Sequence, residues 1–320
     1  MTTQQIEYVM MLAEEKSFSA AAKKLFITQP SLSQFIMNLE NQLGVQLFDR
    51  NTYPIKLTPA GEIYIKNARR IMDIEREMNA EITDLLNMKT GSLIVGADSF
   101  RASCLLNQSV ASFHEKYHNI KVDVTEAEYS ELNNMVMRGD IDFYIGTGEP
   151  DQKIFHKEFL ANERIFLAVP SVYHINSGLG EYALTAEDIS ENKDRLAKVD
   201  PVDISKFADE PFIMFGMENS LNDIVSRICS SSGFSPAKYT TVKHMQTAFS
   251  FINSGIGIGF VPDSFIKYGN NKNHPVYYAI DPAVSIYEII LVSRKNKYLT
   301  KAAVEYVRIL KQLIGYGTWL

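Results

Sequence analysis

The sequence lacks the features of secreted, disulfide-stabilised or membrane-spanning proteins. Its two cysteines, Cys104 and Cys229, are too few for a disulfide framework, and no C-x-x-C pair marks a zinc site. No stretch approaches the roughly 18 uninterrupted apolar residues of a membrane helix. The N-terminus has no basic segment, and acidic residues interrupt its apolar positions. We therefore expect a cytoplasmic chain with no membrane partner, no metal and no cofactor.

Catalytic motifs are missing as well. The sequence contains no G-x-S-x-G, no H-E-x-x-H and no Walker pattern. His114 and His118 stand four residues apart, which suits a metal pair on one helix face, but no third ligand is in view. The spacing therefore favours an ordinary surface helix, and the chain is not expected to be an enzyme.

Charge is distributed unevenly along the 320 residues. The net charge is −6, yet residues 1–66 hold six basic and six acidic side chains. The acidic excess lies mainly beyond residue 90. A neutral N-terminal unit on an acidic body leaves nucleic-acid binding open, because phosphate attraction depends on where the cations sit.

The first 44 residues predict three short helices. Ile6, Val9 and Leu12 recur at helical spacing, and Ser19 is a candidate N-cap for a helix over 20–25. A further helix opens at residues 29–31, with Pro30 in its first turn, and stops at Gly44. Its apolar stripe leaves an opposite face centred on Gln34. This is a helix-turn-helix layout, although a plain helical bundle with a solvated face fits the same stretch.

The next segment predicts a β-hairpin wing. Apolar and polar residues alternate over 45–50, which predicts a strand. Residues 51–54 predict a turn, and residues 55–57 predict the second strand of a hairpin. Arg50 and Lys56 lie near the base of this hairpin, where cations can hold a phosphate backbone. Thr58 and Pro59 then have the residue types that begin a helix.

Together these blocks closely resemble the LysR-type transcriptional regulators. The resemblance rests on FSAAAKKL (18–25), TQPSLS (28–33), LE (39–40), LG (43–44), LFDR (47–50) and LTPAG (57–61). It implies a winged helix-turn-helix DNA-binding domain over 1–57. Many members carry arginines in the recognition helix, where this chain has Gln34, Met37 and Asn38. The base preference of this chain therefore cannot be inferred from that of its relatives. The expected DNA-binding residues are Ser19, Thr28, Gln29, Pro30, Ser31, Ser33, Gln34, Asn38, Arg50 and Lys56.

A long helix is predicted over 58–90. Apolar side chains recur at alternating spacings of four and three from Tyr64 to Leu85, with Glu75 the exception. The pattern fits either a pairing surface or a helix that packs on its own domain. The family resemblance implies pairing: a homodimer, and in many cases a tetramer, on a pseudo-palindromic promoter site, with RNA polymerase as a further partner.

Beyond residue 90, strand-type runs alternate with helical segments, which predicts a parallel α/β domain over 91–320. The resemblance implies a two-lobed effector domain similar to periplasmic solute-binding proteins, so the whole chain is expected to be an α+β multidomain protein. Lobe I is placed at about 91–164 and 268–320, and lobe II at about 165–267. Residues 171–206 form a longer connection of unassigned role.

An effector is expected at strand ends between the lobes, close to helix N-termini. Arg101 could clamp a carboxylate or phosphate, which would make the effector anionic, or it could pair with Asp98. Ser99 and Thr147 could orient the ligand or merely cap helices. His244 and both cysteines are interpreted as core residues. The expected effector-binding residues are Ser99, Phe100, Arg101, Ser103, Tyr129, Thr147, Phe215, Gly216, Met245 and Gln246.

The sequence therefore predicts a transcriptional regulator whose DNA binding or promoter activation is controlled by a small molecule. A cytosolic enzyme carrying a DNA-binding module is the alternative. A transporter's solute-binding protein is a third hypothesis, which the first sixty residues oppose.

Overall fold

The computed structural model describes residues 2–85, 90–191, 193–217, 219–233, 235–236, 239–269 and 271–314. The chain divides into two compact units, one ending at Ile82 and the other beginning at Thr83. Each unit has its own hydrophobic core. Within the described residues, no helix is long and apolar enough to cross a membrane.

The first unit begins with three helices: α1 (Thr3–Glu15), α2 (Phe18–Lys24) and α3 (Gln29–Leu43). Leu32, Ile36 and Leu39 of the expected apolar stripe of α3 are buried, whereas Leu43, also expected in it, is exposed. Gly44 ends the helix at φ +72°, as its sequence position predicted. The expected cap of α2 was wrong. Ser17, which has an extended backbone, accepts from Ala20 N at 3.4 Å, whereas Ser19 already lies inside the helix.

The wing is a two-stranded antiparallel hairpin, β1 (Phe48–Asp49) with β2 (Lys56–Leu57). It is shorter than the alternating pattern predicted. Thr58 caps the next helix, since its hydroxyl accepts from Gly61 N at 3.1 Å. That helix, α4, runs from Pro59 to Leu85. Residues 86–89 of the predicted helix lie outside the described residues.

In the described part of the second unit, ten strands are combined with helices. Its strands are β3 (Gly91–Ala97), β4 (Ile120–Glu126), β5 (Phe143–Gly146), β6 (Phe155–Val169), β7 (Ala183–Leu184), β8 (Phe212–Phe215), β9 (Tyr239–Val242), β10 (Ile258–Pro262), β11 (Val276–Ala279) and β12 (Ile286–Arg294). Its helices are α5 (Ser99–Arg101), α6 (Asn107–Lys116), α7 (Tyr129–Arg138), α8 (Ala186–Ser190), α9 (Lys193–Lys198), α10 (Asn222–Ser231), α11 (Met245–Asn253), α12 (Asp263–Tyr268), α13 (Pro282–Ser285) and α14 (Lys301–Ile314). A π-helical turn, Ala102–Leu106, joins α5 to α6.

The 15-residue strand β6 joins two groups of strands. Up to Arg164 it pairs with β12, which also pairs with β5, and β5, β3 and β4 follow in that order. From Ile165 onward it pairs with β10 and β11 instead. We call the first group, with α5 to α7 and α14, lobe I. The second group, β7 to β11 with α8 to α12, is lobe II.

The sheets are mixed rather than parallel as predicted. Pairs within the strand-helix-strand units are parallel, for example β3 with β4 and β8 with β10. The strands next to the crossover, β6 and β12, run antiparallel to their neighbours because the chain passes directly from one lobe into the other. The chain leaves lobe II only after Ala279, later than the expected return at about residue 268.

The long connection after β6 packs on lobe II. Its described residues contain three 3₁₀ turns, β7, α8 and α9. Leu184 and Ile189 are buried, and β7 extends the sheet by pairing with β11. The segment therefore completes the lobe II core rather than looping over the surface.

Candidate DNA interface and ligand cleft

The N-terminus of α3 is capped and fully accessible. Thr28 accepts from Ser31 N at 3.3 Å, and the two hydroxyls lie 2.7 Å apart. Pro30 sits in the first turn, where its missing N–H costs no hydrogen bond. Thr28, Gln29, Pro30 and Ser31 are all exposed. This end of the helix offers hydroxyls and free N–H groups of the kind that hold phosphates.

The exposed face of α3 has the polar groups that the sequence predicted. Gln34 Nε2 donates to Asn38 Oδ1 at 2.9 Å, and both side chains are exposed. Leu32, Ile36 and Leu39 bury the other face. Amides of this type read adenine edges in the major groove. Ser33 is half-buried, whereas Ser19 is exposed on α2.

Arg50 is held by a residue that the sequence analysis did not assign. Its Nη2 donates to Glu40 Oε2 at 2.6 Å, and its guanidinium lies 5.6 Å from the centre of the Phe18 ring. Glu40 is buried and also accepts from Leu47 N at 2.8 Å. The carboxylate thus ties the wing to α3 and orients Arg50, whose side chain stays 35% exposed. Lys56 is exposed on the other strand of the hairpin.

A small cleft lies between the lobes, where four loops meet. It has a volume of about 20 Å³, room for one water molecule. Each loop immediately precedes a helix: α5, α7, α10 or α11. The lining residues are Asp98, Ser99, Phe100, Glu128, Asn219, Ser220, Leu221, His244 and Met245. Three of the expected effector residues line this cleft together: Ser99, Phe100 and Met245.

His244 corrects one interpretation. We expected a core histidine, but it is exposed at the N-cap position of α11 and lines the cleft. Glu128 and Asn219 also line the cleft, although they were not among the expected effector residues. The sequence signal that could have identified them is their position shortly before a predicted helix.

Arg101 does not face the cleft. It is 2% exposed and bonded to carboxylates on two elements, Asp98 and Glu163. Two roles were considered for Arg101, binding an anionic effector and pairing with Asp98, and the structure shows the pair with Asp98. Two further expected residues, Thr147 and Phe215, are buried, and neither Tyr129 nor Gly216 lines the cleft.

The Arg101 environment is a buried polar cluster at the crossover. Glu163 on β6 accepts from Arg101 Nη2 at 2.8 Å and also from the hydroxyls of Ser264 and Tyr287. Burial lowers the pKa of Arg101, but the Asp98 and Glu163 carboxylates outweigh it and hold the pKa above its usual value. Burial, reinforced by Glu163, raises the pKa of Tyr287, which stays protonated as a donor.

The two cysteines are buried as expected. Burial raises the pKa of both thiols to about 11, so neither is a thiolate at neutral pH. Among the described residues, no group of three or more His, Cys, Asp or Glu side chains could hold a metal ion.

Ser103 and Gln246 join the two lobes. Gln246 Nε2 donates to Ser103 Oγ at 3.0 Å. Both residues line a second, larger cavity rather than the small cleft. Of the ten expected effector residues, three thus line the small cleft, two line the larger cavity, three others are buried, and Tyr129 and Gly216 belong to none of these groups.

Comparisons with known proteins match both units. A family model described as the LysR substrate binding domain matches residues 87–314, and one described as a bacterial regulatory helix-turn-helix protein of the lysR family matches residues 3–62. The uncharacterized HTH-type transcriptional regulator YcgK of Bacillus subtilis is 26% identical over 316 residues, which cover 98% of this chain and 96% of the relative.

Two solved structures share the fold. Full-length OxyR from Pseudomonas aeruginosa aligns with a TM-score of 0.67 at 18% identity, covering 99% of this chain and 95% of that one. Full-length CbnR in complex with its target DNA aligns with a TM-score of 0.60 at 20% identity, covering 98% and 99%.

Proposed function

Because this chain belongs to the LysR family of bacterial transcriptional regulators, we propose that α3 reads a promoter site and that the small cleft senses an effector. The protein is a DNA-binding transcriptional regulator with an effector-binding domain. The observation that carries this conclusion is that one family model covers the helix-turn-helix and another covers nearly all of residues 91–314.

We assign base reading to the middle of α3 and phosphate contacts to its ends and the wing. Gln34 and Asn38 present amides on the exposed face, while the N-terminal turn presents hydroxyls. Arg50, oriented by Glu40, and Lys56 supply the cations of the wing. With so few cations on this face, binding should rest more on direct contacts and less on counterion release than in arginine-rich relatives.

The effector in this proposal enters between the lobes at Ser99. Loops that precede four helices converge there. Asp98 caps α5 and Glu128 also lines the cleft, so the N–H groups that favour an anion are those at the N-termini of α7, α10 and α11. The cleft holds only about 20 Å³, so an effector must part the lobes to enter. Binding would then favour the more open arrangement of the lobes through differential affinity.

We further propose that α4 pairs two chains. Ile71, Ile74, Met78 and Ile82 are between 38% and 66% exposed and follow one another at spacings of three and four. An exposed apolar stripe of this kind on a charged helix is stabilised by a second copy. LysR regulators oligomerise, and a dimer would set two α3 helices on two half-sites.

For the division of the chain we propose a DNA-binding domain over 1–57, a linker helix over 58–90 and an effector domain beyond it. The lobe boundaries follow the strand pairing, with lobe II ending after Ala279. Members of this family regulate transcription, and we propose that this chain acts by binding alone, in the cytoplasm, where its DNA is.

The effector proposal is tested with a fractionated small-molecule extract of the cells that carry the gene. Each fraction is added to the full chain on its promoter DNA, and fluorescence anisotropy and DNA bending are followed. We expect one fraction to change the complex of the native protein but not that of a Ser99→Trp variant. If the active fraction affects both proteins equally, the cleft at Ser99 is not the effector site.

A further inference from the structure

The second cavity is separate from the small cleft and has about thirty times its volume. It measures about 630 Å³ and opens between the π-helical turn of lobe I and helices α11 and α12 of lobe II. Small-molecule sites usually measure about 300–1,000 Å³, so a molecule the size of a sugar fits here without rearrangement.

We propose that this cavity binds a polyhydroxylated small molecule that carries one anionic group. The inference goes beyond the effector cleft proposed above, because it concerns other residues and a second ligand. Ser103, Asn107, Gln246, Ser250, Asn253 and Asn271 line it, all of them hydroxyl or amide side chains. Amides and hydroxyls both donate and accept, which matches the hydroxyl groups of a polyol.

Several of these groups have hydrogen-bonding capacity left. Asn271 Nδ2 is buried and has no acceptor among the described residues. Asn253 Nδ2 donates to Asn273 O at 3.1 Å, which leaves its Oδ1 to accept from a ligand. A buried donor without a partner costs free energy that a ligand oxygen would recover.

The floor of the cavity is aromatic. Phe249 and Phe265 are buried, with ring centres 5.2 Å apart, and Tyr268 stands beside them. The exposed edges of these rings give the cavity an apolar floor, while the polar side chains around them can bind the hydroxyls of a ligand. A plain apolar ligand would leave those polar groups unpaired.

The charge of the cavity selects for an anion. Lys272 is exposed at the cavity wall, and the described lining residues include no Asp or Glu. One lysine without a neighbouring carboxylate favours a ligand with one carboxylate or phosphate group and disfavours a cationic one.

Two side-chain contacts connect this cavity with the small cleft and with the interface between the lobes. Phe100, which lines the cleft, packs on Phe265 of the cavity floor at a ring-centre distance of 5.7 Å. The Gln246–Ser103 hydrogen bond also spans the two lobes at this wall. A ligand that bonds to either side chain would compete with that bond, so occupancy of the cavity would change how tightly the lobes are held together.

Isothermal titration calorimetry of the full chain tests the proposal with four probes: gluconate, glucose 6-phosphate, glucose and acetate. We expect one or both of the anionic polyols to bind, and their comparison distinguishes a carboxylate from a phosphate ligand. Glucose should bind about tenfold more weakly, since it lacks one charge-assisted bond to Lys272. Acetate should not bind.

Variants locate the site. Ser250→Trp fills the cavity from an exposed position and should abolish binding, while Lys272→Gln should bring the anionic polyols down to the affinity of glucose. Thr247→Trp, on the same helix but outside the cavity, should bind normally. The proposal is overturned if neither anionic polyol binds at millimolar concentration, or if Ser250→Trp and Thr247→Trp bind the anionic polyols equally well.

Discussion

Arg101 of lobe I and Glu163 of the crossover strand form a fully buried ion pair, with Nη2 and Oε2 2.8 Å apart. Glu163 also accepts from Ser264, which lies on α12 in lobe II. One carboxylate therefore connects both lobes at the strand that joins them. An ion pair in this position fixes the crossover geometry on which the ligand cleft depends.

Removal of the Glu163 charge should destabilise the second unit. Glu163→Gln leaves Arg101 in the interior with a single carboxylate, and loss of one partner of a buried pair typically costs about 3–5 kcal/mol. Urea unfolding followed by circular dichroism measures the change. Glu158→Gln, on the same strand but in a surface pair with Lys311, should cost less than about 1 kcal/mol. Equal losses in the two variants would refute the structural role of Glu163.

The pH dependence of stability should reflect Asp263. Burial, and then the Glu163 carboxylate, raise the pKa of Asp263 well above its usual 3.8. A raised pKa in the folded state means that stability is full below the unfolded value and falls as pH rises through the folded value. Asp263→Asn should therefore lose less stability than the native chain between acidic and neutral pH.

The matched control for Asp263 is Asp203→Asn. The Ser205 hydroxyl lowers the pKa of Asp203, so this variant should lose stability at neutral pH instead. Unfolding midpoints over a pH series compare the two. An Asp263→Asn profile parallel to that of the native chain would contradict the account.

Substitution of Gln34 should change base preference without changing the fold. Gln34→Ala removes an exposed amide and its 2.9 Å bond to Asn38, and a lost base contact is worth about 1–3 kcal/mol of discrimination. Selection from a randomised site library measures the preference. Gln42→Ala, near the end of the same helix, is the control. Identical preferences for the native and Gln34→Ala proteins would show that this face does not read bases.

Filling the small cleft should uncouple sensing from DNA binding. The indole of Ser99→Trp is far larger than the cleft of about 20 Å³, so it should part the lobes and hold them in that arrangement. Basal promoter binding should persist while the response to the active extract fraction disappears. Ser171→Trp, on the surface of lobe II, should respond normally. A normal response of Ser99→Trp would place the effector elsewhere.

A charge in the apolar stripe of α4 should separate the chains. Met78 is 52% exposed, and Met78→Glu would place a carboxylate where we expect the second copy. Sedimentation velocity should show a dimer for the native protein and a monomer for the variant, with weaker promoter binding. Glu77→Gln is the control on the neighbouring polar face. A native protein that is already monomeric would refute pairing through α4.

Local sequence signals predicted the first unit well. Caps, breaks and stripes such as Thr58, Gly44 and Leu32 depend on neighbours within a few residues, so the order of helices and wing could be predicted directly from the sequence. The ion pairs of Arg50 and Arg101 could not be predicted in this way, because each involves a carboxylate distant in sequence: Glu40 for Arg50 and Glu163 for Arg101.

The second unit was predicted in its elements but not in its connections. Strands and helices came from periodicity, whereas the end of lobe II depends on which strand Val276–Ala279 pairs with. His244 was assigned to the core because its neighbours are apolar, yet the backbone turns there and exposes it at the start of α11. The end of lobe II and the exposure of His244 both depend on how distant segments of the chain pack together, which the local sequence pattern does not show.

Fluorescence anisotropy on the DNA upstream of the protein's own gene tests the central claim most directly. The full chain is titrated onto this duplex and onto a scrambled one, over a series of salt concentrations. We expect selective binding whose log-affinity falls linearly with log salt, with a shallow slope because the exposed face of α3 carries few cations. No binding to either duplex at any salt concentration would contradict it.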